Sequence, residues 1–122
     1  MWSILIFSFC SMYYTDSLKN NRDFKYVYQN GKSYANRQLV VYLLENNSPR
    51  NQLGISVSKK VGNSVVRHRL KRLIKESYRL HEKMFNSGLN IVVIARVGAA
   101  KADYHEIEAA LLHLMRLHHA LR

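Results

Sequence analysis

The chain has 122 residues, 48% of them hydrophobic, which sets a single domain with a modest core and excludes a low-complexity disordered chain. Lys and Arg number 19 against 8 Asp and Glu, a net charge of +11 that points to a polyanionic partner, nucleic acid before an anionic membrane surface. One cysteine, Cys10, excludes an internal disulfide framework and fits a reducing, cytoplasmic compartment.

Residues 1–10 are almost wholly apolar, yet they carry no basic leader segment and no clear small-residue cleavage site. The run is also far shorter than the ~20 residues of a membrane-spanning helix. We expect a non-native or poorly ordered extension here, with Met12 as the natural start. Residues 20–30 read as a short helix with Asn20 as cap, Asp23 at the reciprocal capping position and Gly31 as a left-handed stop. Its apolar face is Phe24, Val27 and Tyr28.

Residues 38–44, rich in Val, Leu and Tyr, predict a strand covered on both faces, and the polar loop 45–51 with Pro49 turns the chain. From 53 to 58 the pattern alternates, with Leu53, Ile55 and Val57 on one side and Gly54, Ser56 and Ser58 on the other. Gly62 breaks this strand and Asn63 caps a helix running to about Met84. The Ile/Val run at 90–95 predicts a buried strand. Asp103 and Glu106 then form a capping box for a last helix with core positions Ile107, Ala110, Leu111, Leu114 and Leu121. The order is α–β–β–α–β–α in one α+β domain, with room for a further short strand at 32–34.

The central helix carries the strongest functional signal. Between Ser58 and Lys75 stand seven Lys or Arg residues and no acid: Lys59, Lys60, Arg67, Arg69, Lys71, Arg72 and Lys75. At ~100° per residue, Val66, Leu70, Leu73, Ile74, Ser77, Tyr78 and His81 share one broad side, which must pack on the sheet. Arg67, Lys71, Lys75 and Arg79 rise as a ridge along one edge of that side, His68 and Arg72 lie further out, and Arg69 projects beyond the opposite edge. A solvated face normally intersperses acids with its bases, and a membrane-surface helix carries Trp and Phe anchors. Both features are missing here, so a polyanion-binding helix is the better reading.

Phe24, Tyr26, Tyr28, Tyr34 and Tyr42 gather near this basic element, and aromatic faces beside a positive groove suit single-stranded nucleic acid. The six histidines do not converge at metal-ligand spacing, and no nucleophile triad, phosphate loop or paired carboxylates can be recognised. No catalytic residue, protein-held metal, membrane or small-molecule partner is expected of this chain.

The stretch Leu53-Gly54-Ile55-Ser56-Val57-Ser58-Lys59-Lys60-Val61-Gly62-Asn63-Ser64-Val65-Val66-Arg67-His68-Arg69-Leu70-Lys71-Arg72 closely resembles the signature of the bacterial ribonuclease P protein subunit. Asp23-Phe24, Gly31-Lys32-Ser33, Ala35-Asn36-Arg37 and Ile91 to Arg96 also match, so the resemblance spans 18–122 and leaves 1–17 as an extension outside the family domain. It implies an α+β fold with a four-stranded sheet and three helices in the order αβββαβα, ribosomal-protein-like, with a left-handed βαβ crossover. It further implies a cytoplasmic, Mg²⁺-dependent endoribonuclease, a hydrolase of tRNA processing, in which a large RNA holds the Mg²⁺ and removes the 5′ leader from precursor tRNA. The protein partners in that picture are the ribonuclease P RNA and precursor tRNA. The RNA-binding set would be Lys59, Lys60, Arg67, His68, Arg69, Lys71, Arg72 and Lys75, with Arg69 and Arg72 turned to the ribozyme. The leader cleft would use Phe24, Tyr28, Tyr42, Lys60, Arg67, Lys71 and Lys75. His68 departs from the family's usual Asn. A ribosomal or RNA-chaperone protein is the alternative within the binding class, and a protein-only nuclease using His and Lys is the rival among enzymes.

Overall fold

The computed structural model describes residues 15–121, so the expectations for residues 1–10 and for Met12 lie outside the described residues. In chain order the elements are β1 (Thr15–Ser17), α1 (Asn21–Asn30), β2 (Lys32–Ala35), β3 (Leu39–Glu45), β4 (Asn51–Val57), α2 (Ser64–His81), β5 (Leu89–Ala95) and α3 (Tyr104–Leu117). The strands form one mixed sheet in the order β1-β4-β5-β3-β2. β1, β4 and β5 run parallel, while β3 is antiparallel to both β5 and β2.

Alternation along the strands feeds two cores. Leu39 and Val41 of β3, Leu53 and Val57 of β4, and Ile91 and Val93 of β5 point to the side covered by α2 and α3. There Leu70, Ile74 and Tyr78 of α2 and Ile107, Leu111, Leu114 and Met115 of α3 are fully buried. Among the described residues the opposite face is covered by α1, in a smaller cluster of Leu18, Val27 and Val92 flanked by Phe24, Tyr28 and Tyr42. Caps fall where the sequence put them: Asn20 accepts from the Arg22 N–H, Asn63 from the Val66 N–H, and Asp103 and Glu106 close a reciprocal box.

Several expectations change. The sheet has five strands rather than four, because Thr15–Ser17 pairs with β4. A three-residue strand is too short for its pattern to show. What fixes it is tertiary: Thr15 is buried, with its hydroxyl 2.8 Å from the Tyr78 hydroxyl. Gly31 is not left-handed, since its φ is −87°. A Cβ there would sit 2.8 Å from the Val27 carbonyl oxygen and 3.0 Å from that of Leu43, so close backbone approach explains the glycine. α2 stops at His81 and continues to Met84 as a 3-10 turn. Leu121 lies past the end of α3, half-buried and bridged to Phe85, while Met115 takes the core position.

A buried polar knot ties α2 to the sheet edge. The Tyr78 hydroxyl meets Thr15 Oγ1 and accepts from Asn51 Nδ2 at 3.1 Å. Asn51 also donates to the Asn86 carbonyl and accepts from the Leu89 N–H. Burial pushes the Tyr78 phenol above its ordinary pKa, the bonds from Thr15 and Asn51 partly opposing, so it stays a neutral bridging group. Replacing Tyr78 by Phe strands two buried partners at once and should cost about 1–3 kcal/mol of unfolding free energy, measured by urea denaturation.

Candidate nucleic-acid interface

β1 stops pairing at Ser17 opposite Leu53, and the Leu18 N–H makes a last bond to the Leu53 carbonyl before the chain turns into α1. Beyond that point, residues 54–57 of β4 face no neighbouring strand on this side among the described residues. Side chains from both faces of the sheet therefore meet around a bare strand edge.

Two grooves lie there. One of about 760 Å³ is lined from α1 by Asn21, Arg22, Phe24, Lys25 and Tyr28, from β4 by Ile55, Ser56 and Val57, and from α2 by Lys71. The second, about 350 Å³, runs between Ser17, Leu18 and Lys19 and the α2 residues His68, Lys71, Arg72 and Lys75, over Leu53 and Ile55. Ile55 and Lys71 line both, so the two form one trough. Among the described residues no carboxylate lines it. A third hollow, about 400 Å³, lies on the outer side of the first turns of α2, between Ser64, Val65, His68, Arg69 and Arg72.

The aromatic wall is built by packing. Gly54 lets the Phe24 ring lie on the strand, since a Cβ there would be 2.6 Å from Phe24 Cζ. Tyr28 packs edge-on against Tyr42, ring centroids 5.0 Å apart, and tilted to Phe24 at 6.3 Å. Burial raises the pKa of Tyr28, a hydrogen bond with Ser56 opposing, so the phenol remains neutral and retains a proton to donate.

The expected site residues divide accordingly. Phe24, Tyr28, Lys71 and Lys75 line the trough, while Tyr42 supports it from beneath Tyr28. Lys59 and Lys60 are exposed on the loop before α2, outside the lining. His68 and Arg72 face both the trough and the outer hollow. Arg69 lies half-buried with its two Nη groups donating to the carbonyls of Ala102 and Ala100, each at 2.8 Å. Arg79 leaves the ridge, paired to Glu76 at 2.7 Å in a contact that lowers the Glu76 pKa. Lys19, Arg22, Lys25 and the β4 edge were missed. Gly54, an interior strand glycine, was the available signal of close approach, and Arg22 and Lys25 flank Phe24 at i, i+3 spacing.

Arg67 is half-buried, and its Nε–H is enclosed with no acceptor among the described residues. Among those residues, no three His, Cys, Asp or Glu side chains gather to hold a metal, and no helix is long and apolar enough to cross a membrane. An enclosed unpaired donor destabilises by roughly 1–3 kcal/mol. Arg67→Met keeps the apolar stem and removes that donor, so it should leave the melting temperature unchanged or raise it while weakening binding of a single-stranded RNA oligonucleotide. A melting curve and a titration check the two halves.

Fold and trough together define a basic α+β domain with a cation-lined trough along one sheet edge. The sequence model of the family described as Ribonuclease P matches residues 12–118. The chain is 59% identical over 104 residues to the ribonuclease P protein component of Lachnoclostridium phytofermentans, covering 85% of this chain and 90% of that one. It is 54% identical to that of Alkaliphilus metalliredigens, covering 83% and 91%. The solved RNase P protein of Staphylococcus aureus superimposes with a TM-score of 0.81 at 38% identity, covering 87% of this chain and 97% of that one. That of Thermotoga maritima gives 0.77 at 31%, covering 84% and 96%. The chain belongs to the ribonuclease P protein family.

Proposed function

We propose that this protein works in the cytoplasm as the RNA-binding subunit of a ribonuclease P whose RNA subunit cleaves the 5′ leader from precursor tRNA. In this reading the trough along β4 holds the single-stranded leader. Its bases would stack on the exposed parts of Phe24 and Tyr28 while Lys71 and Lys75 neutralise the phosphates, Arg67 standing one turn before Lys71 outside the trough lining. The outward set, Lys59, Lys60, His68 and Arg72, would meet the RNA subunit, with Arg69 behind them bound to the carbonyls of Ala100 and Ala102. The observation that carries the proposal is the trough itself: aromatic on the α1 side, cationic on the α2 side, and without a carboxylate.

That lining does not fit a protein-held Mg²⁺, which takes oxygen ligands and carboxylates before ammonium and guanidinium groups. Mg²⁺ is therefore assigned to the RNA subunit and the substrate, and this chain's contribution is to bind and orient. Each stacked base would add about 1–3 kcal/mol, enough for a short leader to distinguish precursor from mature tRNA.

Cleavage of precursor tRNA by a bacterial ribonuclease P RNA at low Mg²⁺ tests the reading. Adding the protein should raise the rate. Cleavage by the protein without RNA would overturn the division of labour, and no effect on the RNA would overturn the subunit role. For the trough, Lys71→Ala should lower the slope of log K against log salt for a leader oligonucleotide by roughly 0.7, the loss of one single-strand phosphate contact.

A further inference from the structure

The strand register gathers three segments at one end of the sheet. Leu39 and Val57 both pair with Ala95, and Ala35 pairs with Val40, so the turn at 36–38, the loop after β4 and the loop after β5 lie side by side. Three exposed cations from two of these segments stand there outside the trough: Arg37, Arg96 and Lys101. None of them is ion-paired among the described residues, whose bridges are Arg50–Asp16, Arg79–Glu76 and His81–Glu108. The nearest acids in sequence, Asp103 and Glu106, are engaged with each other's backbone in the cap of α3.

The backbones that carry these cations are locked together. Asn36 Oδ1 accepts from the N–H groups of Gln38 and Leu39, and Asn36 Nδ2 donates to the Ala110 carbonyl. Arg96 donates through Nη1 to the Asn36 carbonyl at 2.9 Å, and its backbone N–H bonds the Gln38 carbonyl. Gly98 lies so close to Arg37 that a Cβ would come within 2.5 Å of the Arg37 carbonyl oxygen. Finally, Arg69 of α2 grips the carbonyls on either side of Lys101, those of Ala100 and Ala102. A planar guanidinium can hold two carbonyls at once, which a lysine cannot.

We infer that Arg37, Arg96 and Lys101 form a second phosphate-binding surface for folded RNA, kept in register with the first turns of α2 by Arg69 acting as a positioning residue. The surface offers cations on a fixed backbone and, among the described residues, no groove lined with aromatic faces, which suits the backbone of structured RNA rather than unstacked bases. Resting on the subunit reading above, the occupant is the ribonuclease P RNA, approached by the outward face of α2 and by this surface together.

The test compares salt slopes for two RNAs, a ribonuclease P RNA and a single-stranded leader oligonucleotide. Arg37→Gln and Lys101→Gln should each lower the slope for the large RNA by roughly 0.7–0.9, adding in the double variant, with the leader slope and the melting temperature unchanged. An unchanged slope for the large RNA in the double variant, with Lys71→Ala still lowering the leader slope, overturns this surface and leaves the subunit reading standing. A wild-type protein that shows no salt-dependent binding to the large RNA overturns the subunit reading itself. For the brace, Arg69→Lys keeps the charge and loses the two-carbonyl grip. Its effect on large-RNA binding should vanish in the Lys101→Gln background, and an effect of equal size in both backgrounds would make Arg69 a phosphate contact instead.

Discussion

What this protein presents to a ligand depends on how α2 is held to the sheet. Bases at i, i+4 along its ridge repel by a few tenths of a kcal/mol per pair, and only Glu76 within the helix relieves them. Against this stands the fully buried stripe of Leu70, Ile74 and Tyr78. Burying an aliphatic side chain of that size contributes about 1.5–3 kcal/mol, so two such residues outweigh the repulsion of the ridge. The Asn63 cap and the polar knot at Tyr78 fix the start and the last turns of the helix. Stability and recognition are thus separated onto opposite faces of one element. Cations held close by packing rather than by counter-charges keep their charge unneutralised, and in the proposed reading a bound polyanion would relieve the repulsion.

The trough follows from the same sheet by a topological route. α1 and α2 cover opposite faces, so their side chains can converge only around an edge. The edge exists because β1 is three residues long: the chain must leave the sheet at Leu18 to enter α1 through its Asn20 cap. A bare parallel strand edge is ordinarily an aggregation hazard, and flanking lysines are a common protection. Here Lys71 stands over that edge and Lys19 beside it, in the positions that also make the trough positive. One arrangement serves both needs.

Much of this was legible in the sequence, for identifiable reasons. Caps at Asn20, Asn63 and Asp103 are local devices, and period-2 and period-3.6 patterns mark faces without tertiary knowledge, so α2 divided correctly into a buried side and a basic ridge. The remainder is non-local. Thr15 pairs with Asn51 at the sheet edge and meets the hydroxyl of Tyr78, 63 positions away, contacts that no local pattern announces. Arg69 reads as one more base of the motif until the loop at 100–102 is folded against it. Arg79 reads as a further step of the ridge, but the acid three residues before it captures its guanidinium. Helical periodicity gives the direction of a side chain, and only the fold supplies what it meets.

The position that departs from the family pattern can now be judged by its surroundings. His68 is exposed and lines both the trough and the outer hollow, with Lys71 and Arg72 beside it in the first and Arg69 and Arg72 in the second. The Asn usual at this place offers an amide N–H and a carbonyl oxygen. An imidazole carries its two ring nitrogens on opposite sides of a ring rather than on one forked end. In the proposed reading the substitution would keep two polar atoms for RNA while changing the angle at which they are met. Because the neighbouring cations already supply the charge and the side chain is not packed in the core, the helix accommodates this change without disturbing the stripe that anchors it.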